Sequence, residues 1–259
     1  MQRIIVKGKD GKKKMVTVPG WNTGYFIDAN STYNDLARGL LPSLYLDSGR
    51  IDSYNGNTTW YDISGNTKNA TLFNGATTIT SSYGPIMNFV SASSQFASGS
   101  NLGTLTTFTA IVWTKLDSPL SAGTNAFITD KYTGTDLNYA IGSLNSTSTS
   151  VCGGYFKNGI GWITSSLYAP SVNTWYCFAT TYDGTNLKLY VNGSLYSTVA
   201  SATTPGSSGA GYNVAKRWDS SVAGDFIDGQ IPVVLVYNKA LTASQIFDIY
   251  SQFKIRYII

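Results

Sequence analysis

The sequence predicts an all-β chain, an antiparallel two-sheet β-sandwich led by a β-hairpin arm and closed by a short C-terminal helix. Three observations predict it. Thr174 to Val199 reads as three strands joined by two tight turns, Asp183-Gly184 and Asn192-Gly193. Short aromatic and β-branched runs recur along the chain, each bounded by Gly, Asn, Asp or Ser, too closely spaced for crossover helices between them. Charged residues are only 12% of the chain, which leaves the polar turns to uncharged Gly, Ser, Thr and Asn.

Arg3 to Lys7 and Met15 to Val18 alternate around Gly8-Lys9-Asp10-Gly11, a small hairpin. A two-stranded hairpin is barely stable alone, so it needs another surface. Residues 1–20 carry Arg3, Lys7, Lys9, Lys12, Lys13 and Lys14 against Asp10, a net of +5, and the other twelve basic and thirteen acidic residues net −1. The whole-chain charge of +4 therefore belongs to the leader. Such an arm, with Trp21 just beyond it, suits an acidic partner surface such as a nucleic acid, a membrane or a protein shell. The plainer reading is a solvated hairpin whose lysines keep a strand edge soluble. Pro19-Gly20-Trp21 breaks the pattern, and residues 19–38 read as a connector with one helical turn near Tyr33 to Arg38. The expected organisation is an arm and connector over 1–39 and one domain over 40–259. No apolar run approaches the roughly 18 residues of a spanning helix, and MQRIIVKGKDGKKKM has no apolar stretch of a secretory leader.

From Leu40 on, Leu44 and Leu46 face one side of an opening strand, and Trp60 to Leu72 forms a polar loop and a second strand. Phe108 to Leu116 alternates, with Phe108, Ala110, Val112 and Thr114 on one face. Phe127 to Lys131, Asn138 to Gly142, Ser150 to Phe156 and Ile160 to Ser166 follow as strands. In the meander, Trp175 to Tyr182 is aromatic and β-branched. Asn186 to Val191 sends Leu187, Leu189 and Val191 one way and Lys188 and Tyr190 the other. Asn192-Gly193 is the pair a type I′ hairpin turn demands. Gly211 to Ala215 and Phe226 to Tyr237 are the last strands. Thr242-Ala243-Ser244-Gln245 is a capping box, and Ile246, Ile249, Tyr250 and Phe253 then recur at helical spacing.

Several of these stretches carry a family resemblance. Trp175, Tyr182, Asp183, Gly184, Leu187, Leu189, Tyr190, Val191, Asn192 and Gly193 resemble the central strands of laminin-G-like, concanavalin A-like jelly-roll domains. Leu46-Asp47-Ser48-Gly49 and the run Trp60, Asp62, Ser64, Gly65, Asn66, Asn69, Ala70, Thr71, Leu72 resemble that family's first segment, above all in tailed-phage structural proteins. Phe226, Gly229, Ile231, Val234, Tyr237, Asn238, Ala240 and Leu241 resemble its closing strand, and the helix with its Lys254 to Ile259 ending resembles its close. Two departures stand out: Val90-Ser91 replaces an Asp-Gly, and Pro232 replaces an acid. The resemblance covers Leu40 to Ile259 and implies a concanavalin A-like jelly roll.

The chain contains no histidine and no glutamate. Without histidine there is no Ser-His-Asp or Cys-His catalysis, and the commonest transition-metal ligand is missing. The glucanases that share the fold generally use glutamates, so no enzymatic activity is expected. Calcium is the one cofactor to weigh, since it takes oxygen ligands and related jelly rolls hold it at a rim; Asp62, Asn66 and Asp228 are the candidates. Against this, Asp62 and Asn66 also suit capping of their own turn. For a glycan or partner contact, Trp218 lies in a loop beside Lys216 and Arg217, suited to an acidic glycan; the alternative is a loop that packs on the sheet. Cys152 and Cys177 both fall in strands and read as buried small side chains or as neighbours across a sheet.

The function expected from the resemblance is that of a non-enzymatic virion structural protein, a phage capsid decoration (cement) protein whose arm binds the shell. The alternative is a glycan-binding adhesin or tail-associated receptor-binding module. The expected partners are the major capsid or other virion proteins, a glycan in the alternative, and further copies of the chain in a homo-oligomer. Neither a membrane nor nucleic acid is expected, and the expected location is the virion, assembled in the host cytoplasm.

Overall fold

The computed structural model describes strands Arg3–Lys7 and Lys13–Thr17 and residues 35–81, 84–123, 125–131, 136–206, 209–218 and 226–257. The first two strands, β1 (Arg3–Lys7) and β2 (Lys13–Thr17), pair antiparallel with Arg3 opposite Thr17 and Lys7 opposite Lys13, as a sheet of their own. Lys9, Lys12 and Trp21 lie outside the described residues. A single turn, α1 (Leu36–Gly39), follows, capped by Asp35, which accepts from the Arg38 N–H at 3.1 Å.

The chain then runs through β3 (Leu44–Asp47), β4 (Thr59–Trp60), β5 (Ala70–Phe73), β6 (Thr77–Ser81), β7 (Gly84–Phe89) and β8 (Phe96–Gly99). The long β9 (Phe108–Leu116) leads to β10 (Asn125–Asp130), β11 (Leu137–Ser143), β12 (Cys152–Lys157) and β13 (Gly161–Thr164). The predicted meander is β14 (Trp175–Tyr182), β15 (Asn186–Val191) and β16 (Ser194–Ala200). Finally come β17 (Tyr212–Val214), β18 (Gly229–Tyr237) and α2 (Ala243–Tyr257).

These strands form two antiparallel sheets. Sheet I orders β16-β15-β14-β9-β18-β7-β6, and β3 also pairs with β18; sheet II orders β13-β12-β11-β10-β17-β8-β5-β4. Pro232 explains how two strands share one edge of β18. Proline has no N–H for a sheet ladder and collects at bulges. The register of β18 against β9 shifts between Gln230 and Val233; β7 pairs only with Gly229 and Gln230, and β3 takes over from Val233 to Val236.

Between the sheets lies the main core, with Leu44, Trp60, Phe89, Phe108, Val112, Phe127, Tyr139, Tyr155, Phe178, Tyr182 and Val234 buried. The layers come very close at Gly153, where a Cβ would lie 2.3 Å from the Thr180 hydroxyl of sheet I, so that position excludes any side chain. The outer face of sheet I is buried too. Ile111, Trp113, Cys177, Tyr190, Val233, Leu235 and Tyr237 are covered by Ile246, Ile249, Tyr250, Phe253 and Tyr257 of α2. This explains why β9 and β18 read as near-continuous apolar runs.

The local signals map onto this fold directly. The capping box is complete: Gln245 N–H donates to Thr242 Oγ1 at 3.2 Å, and Thr242 N–H to Gln245 Oε1 at 2.9 Å. Asn192 and Gly193 have φ of +50° and +78°, the positive values of a type I′ turn. Cys152 and Cys177, however, are not neighbours. Both are buried free thiols, but Cys152 lies on the outer face of sheet II and Cys177 under α2 on that of sheet I, so the whole sandwich separates them.

The turn after β14 sets a pH dependence. Asp183 Oδ1 accepts from the N–H groups of Thr185 and Asn186 at 3.0 and 2.8 Å and from the Thr185 hydroxyl. Burial alone would raise this carboxyl, but those hydrogen bonds and the Lys188 ammonium outweigh it and hold it well below the usual range. A carboxyl depressed in the folded state stabilises the fold above its unfolded pKa, near ~3.9, and that contribution is lost as pH falls through the folded value. Below about pH 4 the melting temperature of the native protein therefore falls more steeply than that of Asp183→Asn. Parallel acid limbs in the two sets of melts would contradict this role.

Candidate ligand face on the second sheet

Among the described residues no helix covers the outer face of sheet II. Its side chains alternate with core residues: Leu72 and Ala97 point in, Phe73 and Phe96 point out. Phe73 and Phe96 are direct cross-strand partners, and their rings stack at 4.5 Å with 4° between planes. Phe226 adjoins Phe96 at 5.9 Å. The Lys216 ammonium sits 4.4 Å from the Phe96 ring centre and 5.8 Å from that of Phe226. A cation over an aromatic face contributes about 0.5–2 kcal/mol, which fixes Lys216 at this end of the face.

A second aromatic group lies across the same sheet. Trp218 meets Trp162 edge-on at 4.7 Å, Trp162 meets Phe156 at 5.7 Å, and the Arg217 guanidinium lies 4.9 Å from the Trp218 ring. Asn213 of β17 donates to the Arg217 carbonyl at 3.1 Å, which holds the loop against the sheet. Lys131 joins these cations: burial first, and the charge of Lys216 second, push its ammonium below the usual lysine range. Lys216 and Arg217 thus each lie against an aromatic ring of this face, with Lys131 near enough to Lys216 for their charges to interact. Such a patch suits an anionic or uronate-like group, with ring faces and edges for the apolar parts of the ligand.

The structure corrects the reading of Trp218 as the exposed contact. Trp218 is only 8% exposed and packs on Leu137, Ala140, Leu144 and Cys152. Its indole is the floor of the patch, and the half-buried Trp162 and Phe156 beside it present more surface. The loop composition around Trp218 gave no hint that the outer side of β11 and β12 would be apolar enough to bury it. That Phe73 and Phe96 share an outer face is not legible in the sequence, because each looks like an ordinary strand aromatic.

Nor does the fold bring the three calcium candidates together. The Asp62 carboxylate accepts from the N–H groups of Tyr45, Ser64 and Lys68, each at 2.9 Å, and from the Ser64 hydroxyl at 2.8 Å. It organises its own loop, and Asn66 donates to the Pro42 carbonyl and the Ser64 hydroxyl. Ser43, beside Asn66, pairs with Val236 near the far end of β18, whereas Asp228 immediately precedes that strand. Eight extended residues separate the two ends, about 26 Å. Among the described residues no group of three or more metal-ligating acids or thiols converges.

Asp35, Arg50 and Asp52 form one group in which a single guanidinium bonds both carboxylates, at 3.1 and 2.7 Å. It is an ion-pair knot at the base of the sandwich. A glycosidase needs two carboxyl groups flanking a sugar, roughly 5–9.5 Å apart.

Two packed antiparallel sheets, one of them backed by a terminal helix, define a β-sandwich jelly roll. The family model for laminin-G-like domains of the concanavalin A-like lectin/glucanases superfamily matches residues 90–247, and the chain belongs to that family. Among solved structures it is similar to domain 4 of AbnA, a GH43 extracellular arabinanase from Geobacillus stearothermophilus, in complex with arabinotriose. That likeness has a TM-score of 0.62 at 14% identity, over 81% of this chain and 98% of the other. It is also similar to the binding domain of Paraclostridial Mosquitocidal Protein 1, with a TM-score of 0.63 at 12% identity, over 82% of this chain and 52% of the other. The receptor binding domain of the botulinum neurotoxin C/D mosaic serotype gives 0.61 at 13% identity, over 82% and 51%. The chain thus spans about half the length of the two toxin domains, and at these identities the likeness is one of fold. No curated protein sequence matches the chain.

Proposed function

We propose that this protein is a non-catalytic structural and recognition module of a tailed-phage virion, a capsid decoration protein whose basic arm binds the shell and whose jelly roll faces outward. The observation that carries this reading is the division of charge and structure. Six of the 18 basic residues sit in the first 20 positions, on and around a two-stranded sheet of its own, while the sandwich is close to neutral. The lack of glutamate and histidine and the guanidinium-locked aspartates fit a module that breaks no bonds. The proposed partners are acidic surfaces of capsid or other virion proteins and further copies of the chain. Deleting residues 1–20 should leave the sandwich folded and abolish co-sedimentation with particles, and added salt should weaken the full-length interaction. Undiminished incorporation of the folded deletion protein would sink this reading.

A second reading, a glycan-binding adhesin or tail-associated receptor-binding module, is favoured by the aromatic and basic side chains on the outer face of sheet II. Its cation and aromatic patch suits an acidic glycan. Affinity electrophoresis in gels containing alginate or heparin should retard the native protein, and a Lys216→Ala/Arg217→Ala double variant should run unretarded. Equal mobility of the native protein with and without the polysaccharide would exclude acidic-glycan binding.

A further inference from the structure

Strand β6, Thr77-Thr78-Ile79-Thr80-Ser81, ends sheet I, and among the described residues no strand pairs its outer edge. Which backbone groups face that edge follows from β7. Met87 N–H donates to Ser48 Oγ at 2.9 Å, and the Ser48 hydroxyl donates to the Pro85 carbonyl at 3.3 Å. Residues 85 and 87 thus direct their backbone groups away from β6. Their cross-strand partners are Thr80 and Thr78. In an antiparallel ladder both members of such a pair point outward, so Thr78 and Thr80 present N–H and C=O to the free edge. Natural edges are blunted by lysine, proline or a bulge. Strand β6 has none of these: it is uncharged, rich in β-branched residues, and its register against β7 runs without a shift.

The other sheet ends are less suited to pairing. Strand β4 has two residues. Strand β13 has four and opens on Gly161 at φ +107°. Along β16 a loop is already seated: Ser166 N–H donates to Ser197 Oγ, and the Tyr196 hydroxyl to the Leu167 carbonyl. The chain holds one further pair of open strand edges. Strands β1 and β2 pair with each other and join neither sandwich sheet, and an isolated hairpin is marginal in water. Within one chain the hairpin and the edge of β6 are both left open, and each supplies what the other lacks. The edge also begins near the root of the leader. Thr77 Oγ1 lies 3.2 Å from the Tyr54 hydroxyl, Tyr54 N–H bonds the Arg50 carbonyl, and the Arg50 guanidinium bonds Asp35, the cap of α1. Residues 18–34 join the hairpin to that cap, at most about 60 Å of extended chain, enough to reach a neighbouring sandwich.

We propose that the outer edge of β6 is the docking site for the β1–β2 hairpin of a second copy, exchanged reciprocally so that two chains close a two-fold dimer. This rests on the reading of further copies as partners, and the hairpin's second edge and its charge stay available to the shell. The test is made on free full-length protein. Sedimentation velocity should show a dimer, and the Thr78 and Thr80 amides should exchange with deuterium about tenfold or more slowly than in a variant whose hairpin cannot form. Ile4→Pro/Ile5→Pro is that variant: adjacent N–H groups point to opposite edges of a strand, so the two prolines remove a donor from each. It should be monomeric. Thr80→Pro, at an outward N–H, should also be monomeric. Ile79→Lys is the variant that leaves the backbone of β6 untouched: residue 79 is 43% exposed, and a lysine there opposes a leader of net +5. It should weaken the dimer about tenfold. A monomer with slowly exchanging Thr78 and Thr80 amides would place the hairpin on its own chain's edge. A dimer that survives Ile4→Pro/Ile5→Pro would be an edge-to-edge pairing of sandwiches. Either result overturns the inference, as do fast exchange of these amides in the full-length protein and an Ile79→Lys dimer of native strength. Co-sedimentation with particles tests the shell reading separately, so failure there and failure here are told apart.

Discussion

Replacing Arg256 by alanine should lower the stability of the fold by about 3–5 kcal/mol, the usual cost of stranding one member of a buried ion pair. Arg256 Nη1 and Nη2 reach the two oxygens of Asp47 at 2.7 and 2.8 Å, with the Asp47 side chain 1% exposed. This is the bidentate geometry that makes arginine–carboxylate pairs strong. Burial acts against the Arg256 charge, yet Asp47, Tyr257 and Tyr45 raise its pKa further. The guanidinium passes directly over Gly49, where any Cβ would collide with it. With arginine gone, the Asp47 carboxylate keeps, among the described residues, only the Gly49 N–H, at 3.0 Å. Arg256→Lys, which retains charge but not the fork, should fall between. Urea unfolding midpoints measure this; a loss within about 1 kcal/mol would place the pair among the weak surface bridges.

Trp113→Ala should cost about 3–5 kcal/mol as well, the range for emptying a large aromatic site in a core. Trp113 is fully buried in the middle of sheet I. It stacks on Tyr250 at 5.6 Å and packs on Tyr257 at 4.9 Å and Phe253 at 6.4 Å, so it is the main seat of α2. The alanine variant should therefore also lose hydrogen-exchange protection in α2 ahead of the strands. The indole N–H finds no acceptor among the described residues. Trp113→Phe, which removes that unsatisfied donor while keeping a ring, should cost less than about 1.5 kcal/mol. Equal damage from both variants would show that the helix depends on the indole itself.

These two sites show where the sequence could be read and where it could not. Both halves of the ion pair stand in legible motifs, Leu46-Asp47-Ser48-Gly49 and the Arg256-Tyr257 close. Nothing in either motif pairs them across 209 positions. Trp113 falls in the alternating strand on the face opposite Phe108, Ala110 and Val112, and alternation alone does not say what covers that face. The terminal helix turns that face into a second core, and the apolar stripe on α2 was the sign that some surface had to receive it. For the candidate sites the gap was wider. Lys216 and Arg217 were found by their charge, but Trp218 was misplaced because burial of a loop tryptophan depends on β11 and β12 beneath it.

The sequence by itself determined the strand meander with its two turns, the capped terminal helix, the basic leader and the absence of histidine and glutamate. Each rests on residue identity or on rules spanning a few positions: side-chain alternation, positive φ at Asn-Gly, a cap reaching three residues. Only the tertiary structure decided which faces are covered, that Asp62 and Asp228 lie at opposite ends, that the two cysteines sit on opposite sides of the sandwich, and which cations share a patch. Those outcomes depend on strand register and layer packing between residues more than a hundred positions apart, where burial rather than local preference sets the free energy.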